Sequence, residues 1–201
     1  MEYLDKLRIE RALSGSSGEF QHVFQLLTLL LHINHPNLPG YVADAPVGIA
    51  DFVISPYQKQ YLLTTVPSLD ANQSLLPSFS YRSTNAILGV YVMGSIASIS
   101  QTPKSDLDTW VCHRDDLSTK EKEALQRKAH LLKNWAKQFN IEINFYLMDQ
   151  KRFRCFRYAE PLTAENCGSA QYMLLLDEFY RSAIRLAGKP LLWLHLLIEQ
   201  E

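Results

Sequence analysis

The feature that most constrains the fold is the apolar, β-branched run AILGVYVMGS at residues 86–95, which ends in a Gly-Ser pair. A short apolar run bounded by turn residues is typical of a buried strand. A second such run, DLDTWVCH at residues 106–113, follows a stretch of small residues. We therefore expect two strands, with a tight turn after the first.

The clearest helix pattern comes next, in LSTKEKEALQRKAHLLKNWAKQF. Ser118 and Glu121 have the spacing of a capping box at the helix start, and Asn140 suits the helix end. Apolar residues recur at helical spacing along one face, at Leu125, Ala129, Leu132 and Trp135. The alternating segment IEINFYLMD, residues 141–149, predicts a third strand.

The flanking regions read mostly as helices. Residues 2–14 and 18–33 have helical patterns, QKQYLLTTV is a candidate short helix, and residues 68–84 are loop-like. A loop is expected over 150–168, and SAQYMLLLDEFYRSAIRLAG predicts a long helix closed by Gly188. The order predicts an α/β or α+β layer fold, with a helical extension and loop over residues 1–85 and a core over 86–201.

Composition narrows the function classes. The net charge of −1 gives no basic excess, so nucleic-acid binding is not indicated. The three cysteines show no metal-site spacing, no apolar run is long enough to span a bilayer, and the N-terminus is no secretory signal, so we expect a cytoplasmic protein. Residues 190–201, PLLWLHLLIEQE, have no helix stop, which indicates a piece of a longer chain or a docked terminal helix.

The candidate chemistry begins with Asp106 and Asp108. Two residues that are two apart on a strand point to the same face of the sheet. Carboxylates held this close repel each other, and a divalent cation relieves that repulsion. Because magnesium prefers oxygen ligands and keeps sites for water and phosphate oxygens, the pair predicts a magnesium site.

Gly94 and Ser95 end the preceding strand and predict a phosphate-binding turn. Glycine lets a phosphate approach the backbone closely, and the hydroxyls of Ser95 and Ser98 can donate hydrogen bonds to it. Either a D-x-D or a Gly-Ser alone is common and mostly marks a solvated turn or strand end. Together, in strand–turn–strand order, they favour phosphoryl or nucleotidyl transfer.

A third acid would strengthen this hypothesis. Glu142 shares a predicted strand face with Asn144 and Tyr146, so it could join the pair or simply face solvent on an edge strand. Asp149 is the other candidate. Arg181, Arg185 and Lys189 recur at four-residue steps on the predicted last helix, where they could reach a triphosphate or compensate the helix dipole.

Longer strings carry a family resemblance. MGSIASISQTPKSDLDTWVCH, LPGYV, ENCGSAQ and LLLDEFYRSAIRLAGK resemble class I adenylate cyclases of enteric and related bacteria, within the DNA polymerase β-like nucleotidyltransferase superfamily. The resemblance runs over nearly the whole chain. It implies an α+β nucleotidyltransferase fold, with a mixed-sheet core flanked by helices, and the conversion of ATP to cyclic AMP and pyrophosphate.

The resemblance also implies a site. Asp106 and Asp108 match the metal-binding pair, Glu142 the third acid and Gly94 and Ser95 the phosphate turn, with two magnesium ions, which manganese can replace. Family members continue into further catalytic and regulatory regions, including contacts to the phosphotransferase sugar-uptake system, so we expect the chain alone to be weakly active or inactive. The alternatives are a nucleotidyltransferase that adenylylates a protein, RNA or small molecule, and an inactive nucleotide-binding module.

Overall fold

The computed structural model describes residues 2–66, 85–93, 106–149 and 177–190. The predicted loops at 68–84 and 150–168 and the terminal stretch 191–201 lie outside them. The helices are α1 (Glu2–Ser14), α2 (Gly18–His32), α3 (Pro56–Thr65) and α4 (Thr119–Lys137), and a helical segment covers residues 177–182. The strands are β1 (Ile87–Met93), β2 (Leu107–His113), β3 (Ile143–Asp149) and β4 (Ile184–Gly188).

The four strands form one mixed sheet in the order β3-β2-β1-β4. β1 pairs antiparallel with both β2 and β4, whereas β2 and β3 run parallel. The parallel pair requires a crossover, which α4 supplies between β2 and β3. The α+β class and the mixed sheet are therefore confirmed.

One sheet face carries the larger core. Alternate residues of the strands point to this face, among them Val90, Val111 and Ile143, and they pack in one buried cluster with the apolar residues of α2 and α4. α2 contributes most because nearly its whole length is buried. The helix predicted over residues 18–33 is confirmed as Gly18–His32.

The opposite face carries a smaller core, roofed by the helical segment 177–182. Phe179 stacks on Trp110 at a ring-centroid distance of 4.4 Å and meets Tyr91 edge-on at 5.5 Å. Met93 and Met148 complete this layer. At the starts of β2 and β3 this face carries the polar residues Asp108 and Asn144 instead of apolar ones.

The predicted helix boundaries rest on side-chain caps. Ser118 and Glu121 form a full capping box at the start of α4, and Ser55 and Gln58 form another at the start of α3. Asn140 takes a positive φ of 58° just beyond α4, as a residue that ends a helix often does. The signals at Ser118, Glu121 and Asn140 therefore predicted both ends of α4 correctly, whereas the capping box of α3 was not predicted.

The predicted helix over residues 169–188 is wrong in its last part. Helical structure ends at Ser182, and residues Ile184–Gly188 form the edge strand β4. Ile184 is buried and pairs with Val92, which gives it partners that an exposed helix turn would lack. Gly188 does take the left-handed conformation that was expected of it (φ 84°), but it ends a strand instead of a helix.

Candidate functional site

The two aspartates lie where the chain enters β2. Asp106 immediately precedes the strand and is exposed, and Asp108 is its second residue and half-buried. Asp108 pairs with Met93, the last residue of β1. The carboxylate pair therefore lies beside the point where the chain leaves β1 toward the predicted phosphate turn.

The parallel register brings β3 into the same site. Asp108 pairs with Asn144, and Trp110 pairs with Tyr146. The Asn144 side-chain amide donates to Asp108 Oδ1 at 3.2 Å, and Lys133 of α4 donates to Asn144 Oδ1 at 2.9 Å. A lysine, an amide and a carboxylate thus form a continuous hydrogen-bonded chain.

The electrostatics of Asp108 follow from these neighbours. Burial raises the pKa of Asp108, and the carboxylates of Asp106 and Glu178 raise it further, while hydrogen bonding to Asn144 and Tyr146 opposes the rise. Burial and the nearby Asp108 carboxylate also raise the pKa of Tyr146 to about 12. Negative charge is therefore concentrated here, which is the situation that a bound cation relieves.

The two candidates for the third acid lie at opposite ends of β3. Glu142 is exposed and directly precedes the strand, and its carbonyl accepts the Leu107 N–H at 2.9 Å. The register of β2 with β3, continued by one residue, puts Glu142 next to Asp106. Asp149 instead pairs with His113 at the far end and forms an ion pair with Lys122 at 3.4 Å. The geometry thus favours Glu142 over Asp149.

The three basic residues predicted to share a helical face do not share one. Arg181 lies in the helical segment, is exposed and pairs with Asp177 at 3.0 Å. Arg185 belongs to β4, pairs with Tyr91 and donates to the Gly188 carbonyl at 3.2 Å. Lys189 follows β4, and its carbonyl accepts the Tyr91 hydroxyl at 2.5 Å. The change from helix to strand after Ser182 separates them, because Arg181 belongs to the helical segment, Arg185 to β4 and Lys189 to the residues after β4, so the four-residue helical spacing no longer applies.

Some predicted site residues fall outside the described structure. Gly94, Ser95 and Ser98 follow Met93 in sequence but lie in the stretch 94–105, which is not described. Among the described residues, no group of three or more His, Cys, Asp or Glu side chains is arranged to hold a metal ion. Asp106 and Asp108 nevertheless offer the carboxylate oxygens that magnesium prefers, so the donor chemistry fits the expected ion.

The sequence pattern does not reveal four contributors to the site. It places Asn144 and Tyr146 on one strand face but does not predict their contacts with Asp108. Glu178 acts on Asp108 from the helical segment, and Lys133 reaches Asn144 from α4. A pattern along one element gives no signal for such contacts, since they depend on how two elements pack.

A comparison with known protein families shows which family the chain belongs to. Residues 1–194 match the family described as "Adenylate cyclase NT domain". The chain belongs to this adenylate cyclase family. Its relatives include proteins named adenylate cyclase from Pasteurella multocida, 98% identical over the whole chain, Haemophilus influenzae, 61% identical over 98% of the chain, and Escherichia coli K12, 42% identical over 96%.

The chain spans about a quarter of the length of these cyclases, 24%, 24% and 22% respectively. The matched family description names the same region, the N-terminal domain of an adenylate cyclase. No solved structure matches it significantly. Among the described helices of this domain, none is long and apolar enough to cross a membrane.

Proposed function

We propose that this domain carries the nucleotidyl-transfer site of an adenylate cyclase, which converts ATP to cyclic AMP and pyrophosphate. The observation that carries the proposal is the carboxylate pair, Asp106 and Asp108, at the start of β2 beside the end of β1. The relatives' shared name supports the same reaction. The proposal extends to the polymerase β-like nucleotidyltransferase fold and to ATP as substrate.

In this proposal each group of residues has its own role. Asp106 and Asp108, with Glu142 beside Asp106, would hold magnesium, which would supply charge stabilisation and lower the pKa of the attacking hydroxyl. The segment at Gly94 and Ser95, for which the sequence predicts a turn, would hold the triphosphate. Because the attack is intramolecular, the protein must chiefly hold the ribose 3′-oxygen in line with the α-phosphorus.

The three basic residues Arg181, Arg185 and Lys189 have a smaller role in this proposal than their spacing in the sequence predicted. Arg185 lies on the sheet face of Tyr91, two strands from Asp108. Arg181 is exposed and paired with Asp177, which favours a solvated role. The base and ribose contacts, and regulation through the phosphotransferase system, are assigned to regions of the longer protein beyond this domain.

The test is a product analysis on a full-length cyclase that contains this domain. The protein is incubated with ATP and magnesium, without any acceptor, and the products are separated by chromatography. Cyclic AMP and pyrophosphate in equal amounts support the proposal. Transfer of AMP to an added protein, RNA or small molecule would instead indicate another nucleotidyltransferase, and ATP binding without turnover would indicate an inactive module.

A further inference from the structure

The hydrogen-bonded chain that ends on Asp108 has only one possible direction. A lysine ammonium can only donate hydrogen bonds, so the Asn144 atom that faces Lys133 at 2.9 Å must be the oxygen Oδ1. The Asn144 nitrogen is then left facing Asp108 Oδ1 at 3.2 Å, where an ionised carboxylate accepts. Lysine and carboxylate thus fix the amide orientation from both sides.

The packing explains why Lys133 can reach this site. In the described sheet β3 is an edge strand, and α4 packs directly on it. Phe145 of β3 packs with the larger core, so Asn144 next to it faces the opposite side, with Asp108. The long Lys133 side chain therefore passes the edge of β3 to reach the Asn144 amide.

We propose that Lys133 and Asn144 are positioning residues for the metal-binding carboxylate, with Lys133 fixing the amide of Asn144 and Asn144 holding Asp108 in one orientation. This inference rests on the proposed function and deepens it. Residues that hydrogen-bond to a metal ligand orient that ligand in many proteins, and their loss typically weakens metal binding by about 10–100-fold. The positive charge of Lys133 also enters a site where Asp106, Asp108 and Glu178 concentrate negative charge.

The experiment measures Mn²⁺ binding to the full-length cyclase by electron paramagnetic resonance, which does not depend on turnover. Lys133→Met and Asn144→Ala should each weaken binding by about tenfold. Since both act through one chain of contacts, the double variant should be little worse than either single variant. Lys133→Arg, which keeps a cationic donor, should retain most of the affinity.

The matched control is Lys122→Met. This lysine also extends from α4 to β3, but it pairs with Asp149 at the far end of the strand, so its loss should leave Mn²⁺ affinity unchanged. Equal affinities for Lys133→Met and Lys122→Met would overturn the proposal.

Asp108→Asn separates this proposal from the proposed function. If Asp108→Asn abolishes Mn²⁺ binding while the Lys133 and Asn144 variants bind normally, only the positioning role is wrong. If Asp108→Asn binds as tightly as the wild type, the metal site itself is wrong, and both proposals fail.

Discussion

Met93, the last residue of β1, lies directly opposite Asp108 in the antiparallel pairing of β1 with β2. The strand that leads toward Gly94 and Ser95 therefore ends beside Asp108, one of the two aspartates proposed to bind metal. The proposal needs a phosphate-binding segment close to the metal site, because one nucleotide must contact both. The register of β1 with β2 fixes the position of Met93 relative to Asp108.

The first prediction concerns the carboxylate pair. Asp106→Asn or Asp108→Asn in the full-length cyclase should lower kcat by more than about 100-fold, a loss typical of a misplaced reacting group. The change keeps side-chain shape and removes the negative charge, so the fold should persist. Steady-state rates of cyclic AMP formation and circular dichroism of the same samples provide the check. A variant that retains more than a tenth of the wild-type rate would contradict the assignment.

Glu142 is predicted to act as the third acid because it lies next to Asp106 in the continued β2–β3 register. Glu142→Gln should then reduce kcat strongly and change the KM for ATP little, since the residue would act on the nucleophile's side. Asp149→Asn is the matched control, since it lies at the far end of β3 and should alter kcat far less. A silent Glu142→Gln would show that this exposed residue is only part of a surface edge.

The contact between His32 and the Ile49 amide is predicted to be sensitive to acid. Burial lowers the pKa of His32 to about 4, and its Nδ1 accepts the Ile49 N–H at 2.9 Å, which requires the neutral ring. The unfolded histidine takes up a proton below about pH 6.5, and the folded one only near pH 4. The contribution of His32 to stability is therefore fully present above pH 6.5 and is lost as the pH falls toward 4.

The check on His32 is hydrogen exchange of the Ile49 amide, corrected for the intrinsic rate, between pH 7 and 4. His32→Asn can keep an acceptor for this amide without titrating. Protection of the Ile49 amide should decrease as the pH is lowered in the wild type, and it should decrease less in His32→Asn. Parallel pH profiles for the two proteins would contradict this prediction.

Gly188 should not tolerate a side chain. Its φ is 84°, and an added Cβ would lie 2.6 Å from Gly89 Cα and still closer to the Leu88 carbonyl oxygen. Gly188→Ala should therefore cost about 1–3 kcal/mol of local stability, seen as faster hydrogen exchange in β1 and β4. Gly18→Ala at the start of α2 is the control, since nothing lies within 4 Å of its Cβ position. Equal exchange rates in the two variants would count against this strain.

Lys128 joins α4 to the segment after α2. This lysine is fully buried, and its ammonium donates to the Ile33 carbonyl at 3.2 Å, the Asn34 side chain at 3.3 Å and the Gly40 carbonyl at 3.1 Å. Lys128→Met removes the donor and leaves the Ile33 and Gly40 carbonyls buried without it, at about 1–3 kcal/mol for each unsatisfied group, whereas Asn34 Oδ1 still accepts the Val42 N–H at 3.3 Å. Urea unfolding should show the loss, while the exposed Lys137→Met should not. Equal midpoints would contradict the role of this contact.

The sequence by itself predicted most of the local elements and the candidate site residues. Capping pairs such as Ser118 with Glu121, and the periodicity of α2 and β3, are short-range signals that act within a few residues of chain. The D-x-D at residues 106–108 is likewise a local pattern, from which alternation along a strand predicts that both acids share one face. These predictions needed no knowledge of the neighbours.

Only the tertiary structure decided what surrounds those acids. Residues 184–188 carry a helix-compatible pattern and a closing glycine, yet they form β4 because hydrogen bonds to β1 and burial of Ile184 outweigh a weak helical preference. Lys133, Asn144 and Glu178 meet around Asp108 from three different elements. Contacts of that kind depend on strand register and helix packing. The core as a whole sets both, so no periodic pattern in the sequence predicts such contacts.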